Sequence, residues 1–422
     1  MAELTVSPLA TGDELPVDAA RAAIAAALVP ITQTETLPLT AALGRTLAAD
    51  VISPMDVPAH DNSAMDGYAL HGADLAADGP TRLQALPGTV YAGTPWVGEV
   101  PRGHCLKIMT GAVMPAGLDT VVPRELVTLE GEWVQIRPGA LKAGENRRRQ
   151  GEDLALGSAA LRAGRRLRPA DLGLLASLGF AEVTVFRRLR VALFSTGDEV
   201  FAPGQPLPPG GIYDSNRFTL TAALQQIGVE VLDLGLVRDD PAALTAVLQR
   251  ALREADAVVT SGGVSMGDAD HTRDVMAALG DVAFWKVAMR PGRPFAFGPL
   301  QDGTHRAMLF ALPGNPVAAL VTFYAFAREA LLVLGGARPE TMPVLQARSV
   351  AAIRKRPGRT EYQRGIVERG PDGAWQVRIT GSQGAGILRS LSEANALVVL
   401  RHEQGSVAAG EPVDVWLFDG LV

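Results

Sequence analysis

Between residues 190 and 334 the chain alternates short apolar runs with longer stretches in which apolar residues recur every three or four positions. The first pattern is typical of buried strands, and the second of helices that pack one face on a sheet. This alternation predicts a parallel or mostly parallel sheet with right-handed crossovers. The predicted elements are strands at 191–194, 229–236, 257–260 and 308–312, an extended stretch at 282–289, and helices at 218–227, 241–254, 271–279 and 317–334.

Shorter elements flank this region on both sides. Residues 15–28 are rich in alanine and predict a packed helix that ends before Pro30, and residues 167–179 predict a second, short helix. Between these helices, and again beyond residue 345, short apolar runs broken by glycine and proline are typical of small β domains. The predicted organisation is a discontinuous helical linking domain (1–53 and 146–187), an inserted β domain (54–145), an α/β domain (188–335) and a C-terminal β domain (336–422).

The composition is that of an ordered globular protein, because hydrophobic residues make up 47% of the chain and charged residues 20%. The formal net charge of −6 provides no broad positive surface, so a nucleic-acid partner is not expected. Cys105 is the only cysteine, which fits a reducing compartment. The most apolar stretch contains Arg328 and Glu329, which favours a buried helix over a membrane span. Since the amino terminus also lacks the features of a signal peptide, we expect a cytoplasmic protein without membrane contact.

Three predicted strands are followed by turns rich in glycine and small polar residues. Ligands of α/β sheets bind beyond the carboxyl ends of the strands, and glycine turns let successive backbone N–H groups cradle an anion. Neither GxxxxGK[ST] nor GxGxxG is present, so these turns predict neither a P-loop nor a dinucleotide fingerprint. Any one of them alone is better explained as a simple chain reversal, but three on one sheet favour a phosphate site. The turns are 195–199, 261–268 with Gly262, Gly263 and Ser265, and 313–316 with Pro313, Gly314 and Asn315.

Carboxylates follow the same strands. Glu199, Asp239, Asp268 and Asp270 suit Mg²⁺, which takes one or two carboxylates together with phosphate oxygens and waters. Asp240 precedes a proline and is better explained as a helix cap.

Basic residues are grouped in three places. Lys286, Arg290 and Arg293 lie in or beside the extended stretch, where Lys286 and Arg290 are expected to share a face, and the three are expected to converge on an anionic substrate. The runs at 147–149 and 354–356 are either solvated surface or anion sites.

Polar residues are also dense at 61–68, 108–112 and 144–153, without an amphipathic period. Tight loops with Asx turns explain these runs, and so does the wall of a polar pocket.

Several long motifs are more specific than spacing alone. Together they resemble the molybdopterin molybdenumtransferase (MoeA) family and the E domain of gephyrin, in the family's order and over nearly the whole chain. The motifs are DNSAMDGYA at 61–69, IMTGA at 108–112, GENRRRQGED at 144–153, STGDE at 195–199, IYDSNR at 212–217, SGGVSMGDAD at 261–270 and FALPGNP at 310–316.

The resemblance implies a homodimer of four-domain subunits with an α/β domain of the molybdopterin-binding type. Its active cleft is implied to lie between the inserted β domain of one subunit and the α/β and C-terminal domains of the other. The implied reaction joins molybdate to adenylylated molybdopterin and releases AMP, with assistance from Mg²⁺. Other proteins of molybdenum cofactor synthesis and acceptor molybdoenzymes are the implied partners.

The resemblance also assigns residues to roles. The implied catalytic set is Asp66, Thr110, Asp153, Glu199, Asp239, Asp270 and Lys286, of which Glu199, Asp239 and Asp270 are implied metal ligands. The implied substrate-binding set is Gly262, Gly263, Ser265, Arg290, Arg293, Pro313, Gly314, Asn315 and Arg359.

Three positions depart from the family pattern. Arg290 and Arg293 stand where lysine is usual, which keeps the charge but changes the hydrogen-bond geometry. Ala385 stands where many relatives have a small hydroxyl residue, so a side-chain contact to molybdate is lost there.

Two other functions remain open from the sequence. The first is the adenylyltransferase that activates molybdopterin, whose family shares the α/β domain and its SGGVS-type turn but lacks the flanking β domains. The second is a non-catalytic scaffold of the gephyrin type.

Overall fold

The computed structural model describes residues 14–264 and 271–418. By their contacts the described residues form two compact units. The first contains residues 14–48, 164–168 and the described part of 182–422, and the second contains residues 49–163 and 169–181.

The helices are α1 (Val17–Ala27), α2 (Pro169–Ser177), α3 (Asn216–Gln226), α4 (Pro241–Glu254), α5 (His271–Leu279), α6 (Pro316–Thr322), α7 (Arg328–Leu334) and α8 (Arg389–Glu393). Short 3-10 turns lie at Leu39–Ala41, Gly72–Asp74 and Arg124–Leu126, and one π-helical turn, Phe323–Ala327, joins α6 to α7.

The strands are β1 (Thr34–Pro38), β2 (Val51–Ile52), β3 (Asn62–Ser63), β4 (Gly67–Leu70), β5 (Thr81–Val90), β6 (His104–Ile108), β7 (Thr120–Pro123), β8 (Val127–Glu130), β9 (Trp133–Ile136), β10 (Arg147–Arg148), β11 (Ala159–Leu161), β12 (Glu182–Phe186) and β13 (Arg190–Thr196). They continue with β14 (Val200–Phe201), β15 (Ile212–Tyr213), β16 (Glu230–Val237), β17 (Ala257–Ser261), β18 (Ala283–Lys286), β19 (Met289–Arg290), β20 (Pro294–Asp302), β21 (His305–Leu312), β22 (Leu345–Ser349), β23 (Thr360–Arg369), β24 (Trp375–Ile379), β25 (Ala396–Leu400) and β26 (Pro412–Leu417).

A six-stranded sheet with the order β16-β13-β17-β21-β20-β18 lies at the centre of the first unit. The first four strands are parallel, as predicted, whereas β20 runs antiparallel to both of its neighbours, β21 and β18. Successive residues of a strand point to opposite sides, so these apolar strands present two apolar faces. Helices cover both of them. Leu193 of β13 packs into a core with α1, α3 and α6, whereas Phe194 packs into a second core with α4 and α5. The carboxyl ends of the parallel strands are therefore held at one edge of a rigid layer.

The antiparallel edge differs from the sequence prediction. Strand β20 was missed, because Pro294, Gly298 and Pro299 disguise it and its partner β21 supplies the pairing. The extended stretch predicted at 282–289 is split, since β18 belongs to the central sheet while β19 pairs with β23 of another sheet. The prediction that Lys286 and Arg290 share one face is therefore wrong.

The predicted helix at 317–334 is present as α6, the π-helical turn and α7. By length and composition the stretch Pro316–Leu334 could cross a membrane, but 72% of it is buried inside the protein. Val317, Phe323 and Leu331 belong to the core of the first unit. Packing inside the protein thus accounts for the apolar character of this helix.

The C-terminal residues form a closed barrel. Its strands follow the order β23-β24-β22-β26-β25, and β25 pairs back with β23. Val377, Val398 and Val415 are fully buried inside it. The compact C-terminal β domain predicted from the alternating runs is therefore present.

The second unit contains a six-stranded sheet with the order β7-β4-β6-β5-β9-β8. Residues on both sides of this sheet pair in a nested way, β3 with β10 and β2 with β11, and in the first unit β1 pairs with β12. The segments that enter and leave the six-stranded sheet thus run side by side. The domain boundaries given in the sequence analysis stay predictions.

Candidate active site

The three glycine-containing turns predicted from the sequence line one cavity of about 750 Å³. They follow β13, β17 and β21, whose parallel carboxyl ends meet at one edge of the central sheet. We call this space the glycine-turn cavity. It is lined by residues 195–197, 199–200, 212–216, 239, 261–264, 272, 294, 313–316, 386 and 388.

Two of the glycines are required by the backbone. Gly262 has φ +97°, and a Cβ there would lie 2.5 Å from the carbonyl oxygen of Thr196. Gly263 has φ +68°, and a Cβ there would lie 2.5 Å from the Thr272 side chain. By contrast, a Cβ at Gly314 would meet nothing closer than 3.8 Å. The second turn therefore needs glycine at both positions to adopt its backbone conformation and to pack against Thr196 and Thr272.

Three carboxylates, Glu199, Asp214 and Asp239, line the cavity. Asp214 is buried and already accepts from the Ser195 hydroxyl and the Arg217 guanidinium. The Thr196 hydroxyl donates to the Asp239 carboxylate and thereby fixes its orientation. Asp240 lies outside the cavity lining and caps α4, since its carboxylate accepts the Ala243 N–H at 2.8 Å, as predicted.

Two predicted site residues, Ser265 and Asp270, and also Asp268, lie outside the described residues. Within the described ranges no group of three or more His, Cys, Asp or Glu side chains is arranged to hold a metal ion. Of the three cavity carboxylates, Asp214 is paired with Arg217, and the other two, Glu199 and Asp239, are a sufficient protein share for Mg²⁺ with its waters.

A buried polar network supports the turns and was missed by the sequence analysis. The side-chain amide of Asn216 donates to Ser261 Oγ at 2.6 Å and to the Gly314 carbonyl at 2.7 Å. In addition, Gly262 N–H donates to the Leu312 carbonyl at 3.0 Å. These bonds tie the second turn to the third. Asn216 lies in the motif IYDSNR at 212–217, but the sequence of this motif contains no pattern that indicates a bond between the turns.

The predicted cations do not line the glycine-turn cavity. Lys286 is exposed at the end of β18, and Arg293 pairs with Glu14 at 2.5 Å. Arg290 and Arg359 line a different space of about 860 Å³, which we call the arginine cleft. The convergence of these cations on the turns is therefore not found in the structure, because the chain leaves the central sheet after β18 and Arg290 lies on β19, which pairs with β23. The cleft is lined by Glu14, Arg290, residues 354–359, Glu361 and Ser406.

Arg364 was not predicted either. It is fully buried, and its guanidinium donates to Ser390 Oγ and to the Gly384 carbonyl, both at 2.9 Å. Burial lowers the pKa of Arg364 to about 10, and repulsion from Arg290 contributes. Arg364 thus holds the loop that precedes Gly386 at the cavity wall.

The polar patch of the second unit brings Asp66 and Thr110 together. One oxygen of Asp66 accepts both the backbone N–H and the hydroxyl of Thr110, each at 2.7 Å. These two bonds hold the pKa of Asp66 below its usual value. Asp153 donates its backbone N–H to the Val57 carbonyl at 3.0 Å. The catalytic roles of all three residues stay predictions.

Family models match the chain in three places. Residues 15–179 match the MoeA N-terminal region (domain I and II), residues 192–332 match a probable molybdopterin binding domain, and residues 346–418 match the MoeA C-terminal region (domain IV).

Relatives match over almost the full length. A molybdopterin molybdenumtransferase of Haemophilus influenzae is 41% identical over 409 residues, which cover 97% of this chain and 100% of that protein. Molybdopterin molybdenumtransferase 2 of Mycobacterium tuberculosis is 38% identical and covers 90% of this chain and 94% of its own. The crystal structure of the molybdopterin biosynthesis moeA protein from Pyrococcus horikoshii OT3 superposes with a TM-score of 0.81 at 28% identity, covering 96% of this chain and 100% of that one. The chain therefore belongs to the molybdopterin molybdenumtransferase (MoeA) family.

Proposed function

We propose that the protein is a molybdopterin molybdenumtransferase that inserts molybdate into adenylylated molybdopterin and releases AMP. The observation that carries the proposal is the glycine-turn cavity, where three backbone turns and three carboxylates surround one space of about 750 Å³. Cavities of this size hold small-molecule substrates. The names of the relatives support the reaction class.

In this proposal the backbone at Gly263, Gly314 and Asn315 binds the phosphoryl oxygens of the substrate. Glycine at position 263 lets the second turn adopt its conformation against Thr272, and the bonds made by Asn216 keep the second and third turns in register. As molybdenum bonds to the two dithiolene sulfurs, one molybdate oxygen leaves as water with the two thiol protons. One water is consumed when the phosphoanhydride is cleaved to AMP and the pterin phosphate, and preorganised donors stabilise the charge that develops on the AMP phosphate.

Glu199 and Asp239 are the residues that would hold Mg²⁺. When bound, this ion neutralises charge on the phosphoanhydride, as in other phosphoryl transfer. The Thr196 hydroxyl keeps Asp239 oriented and leaves its second oxygen available.

The decisive assay separates the proposed reaction from its two alternatives. Purified protein is incubated with adenylylated molybdopterin, molybdate and Mg²⁺, and in parallel with molybdopterin and MgATP. We expect molybdenum cofactor and AMP in the first reaction only. Product in the second reaction alone would assign the adenylyltransferase, and no product in either would favour a scaffold.

We also propose that the protein works in the cytoplasm as a homodimer that hands its product to acceptor molybdoenzymes. Cys105 is fully buried, and burial raises the pKa of its thiol to about 12. This cysteine is therefore an unreactive thiol, which is compatible with a reducing compartment. Light scattering on the purified protein tests the dimer, since a monomeric mass at micromolar concentration would contradict it.

A further inference from the structure

One carboxylate of the glycine-turn cavity differs from the other two in its burial. Asp214 lines the cavity but is only 3% exposed, whereas Glu199 is exposed and Asp239 is half-buried. An ionised carboxylate that is removed from water is stable only when opposite charge and hydrogen bonds compensate it. Without compensation, the charge of Asp214 would repel a phosphoryl group in the cavity and attract Mg²⁺ away from the other carboxylates. Ligand binding in the cavity therefore depends on what neutralises Asp214.

Arg217, in the first turn of α3, provides this compensation. Its backbone N–H donates to one oxygen of Asp214 and its guanidinium Nε donates to the other, each at 3.1 Å. The Ser195 hydroxyl also donates to the first oxygen at 3.1 Å. Both oxygens of the buried carboxylate thus accept hydrogen bonds, and one donor carries a full positive charge. Arg217 itself lies outside the cavity lining, so it acts on the cavity through Asp214.

The Arg217 side chain is also held by the central sheet. Its Nη1 donates to Asp233 of β16 at 2.6 Å, and the second oxygen of Asp233 accepts the Gly235 N–H at 2.9 Å. Only 16% of the Arg217 side chain is exposed, whereas 45% of the Asp233 side chain is exposed, so water screens the charge of Asp233. A planar guanidinium contacts two carboxylates in one fixed orientation, which an ammonium group does not reproduce. The pairing of Arg217 with Asp214 is therefore in place before any ligand binds.

We propose that Arg217 is a positioning residue of the glycine-turn cavity, which neutralises Asp214 so that an anionic phosphoryl group can enter. Mg²⁺ is then left to Glu199 and Asp239, because Asp214 already accepts three hydrogen bonds and is paired with a cation. The inference rests on the proposed function, since that function places the phosphate and the ion in this cavity. It predicts that loss of Arg217 weakens ligand binding through the charge of Asp214, and that removal of this charge restores binding.

The test measures AMP binding by calorimetric titration of the full-length protein in the presence of Mg²⁺. R217Q leaves the Asp214 carboxylate uncompensated, and we expect the Kd for AMP to rise at least about tenfold, because poorly screened like charges repel strongly. D214N/R217Q also removes the carboxylate charge but keeps an acceptor for the Ser195 hydroxyl. This double variant should bind AMP with a Kd within about threefold of that of the unchanged protein. A purely structural ion pair predicts the opposite, since the second buried substitution would then add to the first loss.

The matched control is an exposed ion pair on α4, in which Arg250 lies 3.1 Å from Glu254. R250Q and R250Q/E254Q should both bind AMP as the unchanged protein does. D214N alone is measured in parallel, because it leaves Arg217 paired with Asp233 and decides the question if R217Q does not fold. It should bind AMP at least as tightly as the unchanged protein.

The proposal is overturned if R217Q binds AMP as tightly as the unchanged protein, if D214N/R217Q binds it no better than R217Q, or if D214N alone binds it more weakly. Equal losses in the Arg250 control would also overturn it. Each of these results leaves the proposed function standing, because the unchanged protein still binds AMP. No AMP binding by the unchanged protein would contradict the proposed function, and this inference with it.

Discussion

The glycine-turn cavity and the arginine cleft belong to the same unit but are built by different means. In the cavity, backbone turns at the ends of parallel strands supply the surface, and glycine is needed because a Cβ would collide with neighbouring atoms. In the cleft, long charged side chains from β19 and from a loop of the barrel supply it, and a buried lysine fixes that loop. A site made from backbone should tolerate almost no change in shape, whereas a site made from side chains should respond gradually to charge.

The largest effect is expected for Gly262→Ala. Its Cβ would lie 2.5 Å from the Thr196 carbonyl at a backbone φ of +97°. We expect turnover to fall by at least about 100-fold, because small displacements of reacting groups are costly. The free energy of unfolding should fall by about 1–3 kcal/mol. Gly314→Ala is the control, since it meets no close atom and should leave the unfolding midpoint unchanged. Equal stability of the two variants would contradict a backbone-built cavity.

The second prediction concerns the carboxylates. Asp239→Asn keeps an acceptor for Thr196 but removes the charge, so turnover should fall by about 10- to 100-fold and require more Mg²⁺. Asp240→Asn changes the neighbouring carboxylate, which caps α4 and does not line the cavity. Titration of turnover against Mg²⁺ should separate the two variants. An unchanged Mg²⁺ requirement in Asp239→Asn would remove this residue from the metal site.

The third prediction tests the network beneath the turns. Asn216→Ala removes the bonds to Ser261 and Gly314 and leaves buried polar groups without partners. The free energy of unfolding should fall by about 1–3 kcal/mol, and KM should rise more than kcat falls. Gln226→Ala, an exposed position on the same helix, should change neither. A loss of stability with unchanged KM would make Asn216 purely structural.

The smallest effect is expected in the arginine cleft. Glu361→Gln removes one of its two negative charges and releases Arg359. The resemblance assigns Arg290 and Arg359 to the substrate-binding set, so the KM for molybdate should then fall about two- to fivefold, which is the range that single partly exposed ion pairs contribute. Glu368→Gln changes an exposed carboxylate elsewhere on β23 and should have no effect. A higher KM in Glu361→Gln would show that this carboxylate supports the site.

The same contrast explains how much the sequence could predict. The turns at 195–199 and 313–316 follow apolar strands directly, so the rule for parallel sheets was enough to place Glu199 and Asn315 at one edge. Strand pairing across distant residues was not visible. For that reason β20 was missed, Lys286 and Arg290 were placed on one extended stretch although they lie in different sheets, and the neighbours of Arg364 were not foreseen.

The residues of the arginine cleft come from parts of the chain that are far apart in sequence, such as Glu14, Arg290 and Ser406. The basic run at 354–356 was therefore equally compatible with solvated surface and with an anion site. Only the tertiary fold shows that Lys355 is buried and that its neighbours point outward together.

The most direct test of the central claim is a crystal of the protein soaked with AMP, molybdate and Mg²⁺, in which molybdenum is located by its anomalous scattering. We predict that the AMP phosphate contacts the backbone at Gly263, Gly314 or Asn315 inside the glycine-turn cavity, with Mg²⁺ beside Glu199 and Asp239. AMP bound elsewhere, with the glycine-turn cavity empty, would contradict the account.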